Sequence, residues 1–441
     1  MNILIITPSD ITGGASRAAF RLHEALLQNE INSQMLVEKK SSDINSVLAL
    51  GKIALPAKIK LLEKFRSRLY KITLNRDKIL FKKSKKTMTK NFGPFSPQVV
   101  SNIKLLKIIN EINPDIVHLH WICGDYLSIE DIAKISAPIV WSLHDMWSFT
   151  GGCHYVADQI LQHGGDHCDK YTKNCGSCAL LGSKKANDLS FYVLKRKKKT
   201  FAKVESMTVV GLSKWMQNCA KKSAVFTDKK VVCLPNPINT NVFKPIEEKQ
   251  SRILWNLPEG KKLILFGAMG ATSASYKGFE LLIEALNKIS TENVEFIVFG
   301  SGEPKNPPKL SKRIHYLGHL SDDVSLVSLY NACDLMIVPS KRENLSNVIM
   351  ESLACGTPVA CFDVGGNSDM VTHMVNGYLA QPFDTADLAK GIDWVLNNER
   401  YDELAKNARE KVVNEFNYCV VAKKYIELYE EIHNARIKSG K

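Results

Sequence analysis

Residues 335–362 read LMIVPSKRENLSNVIMESLACGTPVACF. Leu335–Pro339 is a short apolar run, too brief for a helix. Asn347–Ala354 carries apolar residues at helical spacing, and Val359–Phe362 is a second short apolar run. Strand, loop, helix and strand in that order form a unit whose two strands lie parallel and whose helix covers the sheet.

The same alternation extends in both directions. Downstream of residue 250, strands are expected at Lys262–Gly267, Val294–Gly300 and Ile314–Leu317. Helices are expected at Phe279–Ile289, Asp323–Asn331, Thr385–Asn397, Tyr401–Glu415 and Tyr418–Ala435. In the first half, Asn2–Ile6, Gln34–Val37, Ile116–Leu119, Ile139–Leu143, Met207–Gly211 and Val231–Leu234 read as buried strands. Helices are expected at Ala15–Leu27, Val99–Asn110 and Ile129–Ile135. The polar stretch Lys244–Arg252 reads as a linker. A chain of 441 residues exceeds one ordinary core. The expected fold class is therefore α/β: two doubly wound parallel-sheet domains facing each other across a cleft, with a C-terminal helix after the second sheet. The boundaries expected are 1–243, 244–417 and 418–441, with insertions at 52–90 and 151–182 in the first domain.

Composition narrows the class of protein. At 45% hydrophobic and 24% charged residues, this is a folded chain with no run of 18 uncharged apolar residues. Met1–Pro8 has no basic leader and reads as a buried first strand, so a cytoplasmic location is expected. The formal charge of +14 is concentrated: 52–90 holds fourteen Lys and Arg against Glu63 and Asp77. The rest of the chain is nearly neutral, so nucleic acid is not an expected partner.

The chemistry-bearing residues cluster around the opening stretch. Glu343 follows a strand, Glu351 lies within the next helix, and Ser346-Asn347-Val348 presents backbone N–H groups at that helix's start. Such a start favours a phosphate group, and two carboxylates beside it suit sugar and ribose hydroxyls. Lys277 follows a glycine-bearing loop and can neutralise a diphosphate leaving group. Gly13 and Gly14, after the first strand, let backbone approach a ligand closely. They do not form a G-x-G-x-x-G dinucleotide fingerprint. His118 and His120 share one strand face, where packing explains them as well as chemistry does. His144 ends its strand on the ligand side.

In these motifs the chain resembles the family-4 retaining glycosyltransferases of the GT-B fold. The likeness runs through Gly13-Gly14, Asp115–His120, Leu143-His144-Asp145, Lys277-Gly278, Pro339 to Glu351, Gly356–Val359 and Gly365-Gly366. Within Trp141–Cys178 and Leu345–Val348 it is similar to bacterial transferases of surface-polysaccharide assembly. The resemblance implies a UDP- or GDP-sugar donor and a glycan or lipid-linked acceptor, with no catalytic cofactor. It implies that Glu351 holds the ribose, Glu343 the donor hexose and Lys277 the diphosphate, with the amides of Asn347 and Val348. Gly13-Gly14 would close over the phosphates, and His144 would lie near the transferred sugar. One departure stands out: where the family carries an arginine six residues before the lysine, this chain has Ala271. Arg342 and Arg17 are the candidates to replace it.

Two segments stand apart. Cys153, Cys168, Cys175 and Cys178, with His154, His163 and His167 between them, are candidate ligands of a structural zinc. Reduced free thiols or a redox pair are the alternative. Segment 52–90 interleaves apolar residues at helical spacing with its charges, giving a basic amphipathic helix or a solvated helical insertion. The first reading expects peripheral attachment to an anionic membrane at the inner face of the cell membrane. Two rival functions remain in view: a sugar-nucleotide epimerase of the same architecture, and a non-catalytic nucleotide-sugar or RNA-binding protein. The epimerase would need an acid–base pair in the first domain that the sequence does not offer.

Overall fold

The computed structural model describes residues 1–52, 95–156 and 168–438, apart from positions 269, 305, 309, 311 and 321. The chain divides into two compact units, one formed by Met1–Asn236 with Ala422–Lys441, the other by Pro237–Val421.

In the first unit, seven parallel strands lie in the order β3-β2-β1-β4-β5-β6-β7. They are β1 (Asn2–Ile6), β2 (Asn32–Val37), β3 (Val47–Ala49), β4 (Ile116–Leu119), β5 (Ile139–Leu143), β6 (Met207–Gly211) and β7 (Lys230–Cys233). Every residue of β4, β5 and β6 is buried. Helices cover both faces of such a sheet, which is why these strands are continuous apolar runs rather than alternating ones. Ile6 pairs with Leu119, and the strand order reverses between β1 and β4. Beyond the carboxyl ends of strands that flank such a reversal, the diverging connections leave a crevice for ligands.

The second unit repeats the plan with six parallel strands in the order β10-β9-β8-β11-β12-β13. They are β8 (Lys262–Gly267), β9 (Val294–Phe299), β10 (Ile314–Tyr316), β11 (Leu335–Val338), β12 (Val359–Phe362) and β13 (Gly377–Ala380). Phe266 pairs with Ile337, so the reversal here falls between β8 and β11. The core of this unit gathers Phe266, Phe296, Ile337 and Phe362 from the sheet, with Leu282, Leu388 and Ile392 from the covering helices.

Several expectations need correction. The C-terminal helix Tyr418–Lys438 does follow the second sheet, and from Ala422 onward it groups with the first unit, with Tyr425 and Tyr429 buried. The boundary lies at 236/237 rather than at 243/244. The expected linker is helical over Glu248–Leu254. Its Arg252 is buried, donating to Ala332 O, Pro258 O, Glu259 O and Lys261 O and pairing with Asp334 at 2.9 Å. A polar residue with that many partners is a tie inside the fold, not a solvated spacer. The basic segment 52–90 lies outside the described residues, Lys52 excepted. No described helix is long and apolar enough to cross a membrane.

Gly267 closes β8 where a Cβ would stand 1.8 Å from the Phe299 ring. Gly267→Ala should therefore destabilise the protein by roughly 1–3 kcal/mol through overpacking. A urea midpoint equal to wild type would show that the ring moves aside freely.

Candidate functional site

In the second unit, the connections after β8 and β11 meet at the strand-order reversal. Two glycines allow that meeting. Gly278 has φ +74°, and a Cβ there would lie 2.0 Å from the Pro339 carbonyl oxygen. Gly365 has φ +60°, and a Cβ there would lie 1.7 Å from the Glu343 carbonyl oxygen. The left-handed φ and the backbone contact both exclude a side chain. The loops are tied by Lys341 N donating to Tyr276 O at 2.9 Å. Lys277 Nζ then reaches Glu343 Oε2 at 3.0 Å. Burial pulls the Lys277 pKa down, but Glu343 and Tyr276 more than offset this, and it stands above the usual lysine value. Lys277 is therefore a cation at every physiological pH.

The Tyr276 ring gathers the local positive charge. Lys277 Nζ lies 5.4 Å from its centroid and the Arg342 guanidinium carbon 4.9 Å. Next along the chain, Ser346 precedes the helix Asn347–Ala354 and makes no side-chain cap hydrogen bond. The first-turn amides of Asn347 and Val348 thus carry the positive end of the helix dipole without a side-chain cap. Glu351, 2% exposed, is held by Tyr330, whose hydroxyl donates to Oε2 at 2.8 Å. Thr357 Oγ1 fixes that tyrosine in turn by donating to its carbonyl. The five expected residues Lys277, Glu343, Ser346, Asn347 and Val348 thus come from two adjoining loops, with Glu351 one turn into the helix.

In the first unit, Gly13 (φ 92°, ψ 156°) precedes the helix Gly14–Gln28. Among the described residues nothing lies within 4 Å of where its Cβ would stand, so its backbone face is open to close approach. Across the reversal, β4 sends His118 and His120 to one side with their rings 4.4 Å apart. Tyr429 OH lies 2.7 Å from His118 Nδ1 and Ser142 Oγ 2.8 Å from its Nε2. His120 Nδ1 meets His144 Nε2 at 2.9 Å. Burial pushes the three pKa values down, to about 3 at His118, to about 4 at His144 and well below normal at His120. All three imidazoles are neutral, so His144 offers hydrogen bonds rather than charge.

The next residue, Asp145, is the organiser that sequence reading missed. Its Oδ2 accepts from Trp121 Nε1 at 2.9 Å and meets His154 Nδ1 at 2.6 Å, while Oδ1 accepts from Trp147 N at 2.8 Å. Burial raises its pKa, but His154, Trp147 and Trp121 outweigh this and hold it below the usual carboxylate value. His154 in turn meets Ser96 Oγ at 3.0 Å. The sequence signal is the short His144-Asp145 pair at a strand end followed by His154, which sits next to Cys153.

Comparison with known proteins agrees with this construction. Residues 248–411 match the family described as glycosyl transferases group 1, and residues 46–170 match glycosyl transferase 4-like proteins. The 248–411 stretch holds the whole second sheet with Lys277, Glu343 and Glu351, and the 46–170 stretch holds β3 to β5 with His118, His120 and His144. The chain is built on glycosyl transferase group 1 and 4-like domains.

An uncharacterized glycosyltransferase of Methanocaldococcus jannaschii is 29% identical over 51% of this chain and 60% of its own length. A Campylobacter jejuni protein named N,N'-diacetylbacillosaminyl-diphospho-undecaprenol alpha-1,3-N-acetylgalactosaminyltransferase is 28% identical, over 44% of this chain and 52% of its own. The chain thus spans between half and two thirds of the length of these curated relatives. Sucrose-phosphate synthase from Thermosynechococcus elongatus superposes with a TM-score of 0.66 at 18% identity, over 98% of this chain and 99% of that one. Anabaena HepE in complex with UDP and glucose does so at 0.61 and 15% identity, over 97% and 99%. At such identities these two show the fold.

In this GT-B fold the four cysteines expected to hold a zinc lie in the first unit. Cys153, Cys168, Cys175 and Cys178 are free, and Cys153 packs with Leu180 against Phe95, Cys168 and Cys178. Among the described residues, however, no three His, Cys, Asp or Glu side chains are grouped as metal ligands. His163 and His167 lie outside the described residues. Burial pushes the Cys153 and Cys178 thiols up, and Cys175 to about 12. Beside them Lys197 is fully buried, with Nζ 3.7 Å from the Trp147 ring centroid and donating to Thr150 O at 3.0 Å. Burial pulls its pKa down to about 7.

The buried histidines set an acid limit. Their folded pKa values lie below the unfolded 6.5, so the unfolded chain binds more protons once the pH falls below that value. Stability is full above pH 6.5 and should fall as pH drops toward 4, by up to about 1.4 kcal/mol per pH unit for each histidine. His118→Phe should flatten the slope of urea stability against pH in this window. An unchanged slope would mean that His118 is protonated in the folded state.

Proposed function

We propose that this chain is a retaining glycosyltransferase that moves a hexose from a nucleoside-diphosphate sugar to a glycan or lipid-linked acceptor. The carrying observation is the Lys277–Glu343 pair at 3.0 Å beside the helix start at Asn347. One cation, one carboxylate and a row of backbone amides converge where the diphosphate and hexose of a donor would bind. In this reading Glu351, its Oε2 fixed by Tyr330, binds the ribose hydroxyls. Lys277, with the Asn347 and Val348 amides, binds the diphosphate and stabilises the charge that grows on it as the sugar leaves. Glu343 exchanges its lysine contact for hexose hydroxyls. Neutral His144 offers a hydrogen bond to a substrate hydroxyl, and Gly13-Gly14 offers backbone that a phosphate can approach.

The acceptor oxygen attacks the anomeric carbon from the side that the diphosphate leaves. The carbon–phosphate-oxygen bond breaks, and the acceptor proton passes to the departing phosphate. No protein carboxylate has to act as base, so catalysis is positioning and charge stabilisation. A role in surface-polysaccharide synthesis is supported by the Campylobacter jejuni relative, whose name specifies an undecaprenol-linked acceptor. Segment 52–90, with its dense Lys and Arg, would bring the protein to an anionic membrane carrying such an acceptor. The structural zinc on the four cysteines is likewise a proposal. It requires near one equivalent of zinc in protein purified without added metal, lost in Cys175→Ser; a metal-free, fully active preparation removes it.

Incubating the protein with UDP- and GDP-sugars, with and without acceptor, should release nucleoside diphosphate. Lys277→Ala should reduce turnover about 10²–10³-fold with little change in folding stability. Glu351→Gln should weaken binding of the bare nucleoside diphosphate itself. Wild-type turnover in Lys277→Ala would exclude this assignment of the phosphate site.

A further inference from the structure

We propose that Arg342 is the second cation of the donor-phosphate site, held in place by Tyr276, and that it does the work of the arginine absent at position 271. The inference rests on the reading of Lys277 as the diphosphate ligand and adds a residue to it. Position 271 cannot contribute charge: Ala271 is fully buried and packs in the apolar core of the second unit with Phe266 and Leu282. Lys277 alone is a weak counterion for a diphosphate, because Glu343 already pairs with it at 3.0 Å. Of its neighbours on the 339–346 loop, Lys341 turns away to pair with Glu280.

Arg342 shares the Tyr276 ring with Lys277. Its side chain comes from the residue before Glu343, is buried to within 7% exposure, and lies over the same ring that Lys277 flanks. Two cations are thereby brought to one tyrosine, close enough that Arg342 works against the protonation of Lys277. Holding like charges together in a buried site is unfavourable on its own. An anion bound between them reverses the sign of that term. A guanidinium is also the better partner for such an anion: its planar fork bridges two phosphate oxygens, which an ammonium does as a point charge only. Contact with the Tyr276 ring, 4.9 Å from the guanidinium carbon to the centroid, holds that fork near the site before the ligand arrives. The chain has thus moved the missing charge from the loop after β8 to the loop after β11, from which the helix-start amides also come.

The test is a binding series with uridine, UMP and UDP, and the guanine equivalents, by isothermal titration calorimetry. Proteins are wild type, Arg342→Gln, Arg342→Lys and Arg17→Gln, each checked for folding by circular dichroism. Loss of a charge-assisted contact should weaken diphosphate binding by about 10–100-fold in Arg342→Gln and leave nucleoside affinity unchanged. Arg17→Gln should bind as wild type. Should Arg342→Gln not fold, Arg342→Lys decides: its shorter, point-like charge should lose several-fold affinity for the diphosphate alone. Diphosphate affinity equal to wild type in the folded Arg342 variants, or a loss in Arg17→Gln instead, overturns the proposal. If wild type binds no nucleoside diphosphate, the proposed function fails as well, so the two failures are distinct.

Discussion

The contact between Lys277 and Glu343 depends on two places where no side chain fits. Gly278 runs against the Pro339 carbonyl and Gly365 against that of Glu343, each in a conformation that other residues resist. Remove either and the loops after β8, β11 and β12 cannot close to that distance. Everything assigned to the second unit follows from the closure: the ion pair, the shared tyrosine ring and the helix start beside it. The parallel sheet sets which loops are neighbours, and the glycines set how near they come.

The first unit solves a different problem. Its crevice is lined by neutral polar groups whose partners lie inside the protein. The chain of contacts from Tyr429 through His118, and from His120 to His144, uses imidazole nitrogens as fixed donors and acceptors. Asp145 carries the only formal charge in this set, and three donors hold it ionised. One unit is thus organised by charge and the other by hydrogen-bond direction.

Much of this was legible in the sequence, and for a physical reason. Strands buried on both faces must be apolar throughout, so β1, β4, β5, β6, β8 and β12 announced themselves to the residue. What was missed carried no such mark. Val47–Ala49 has three residues, and Gly377–Ala380 opens on a glycine with almost no period to read. The helix Leu189–Phe201 has no place in the sequence reading, and its Lys197 points inward, against hydropathy, onto the Trp147 ring. Arg252 hid a structural helix inside an apparent spacer in the same way. At the site, the residues matching a known motif were readable, whereas Arg342, Tyr276 and Asp145 matter through neighbours that only folding supplies.

The return of residues 422–441 to the first unit bears on how the molecule is made. The second unit is one unbroken stretch of chain, whereas the first is assembled from both ends of it. A ribosome therefore finishes the second unit before it has delivered the last piece of the first. Until that piece arrives, His118 lacks the Tyr429 hydroxyl, and the polar interior of the first unit is one partner short. Synthesis and completion run in opposite orders, and the half begun first is the last to be finished.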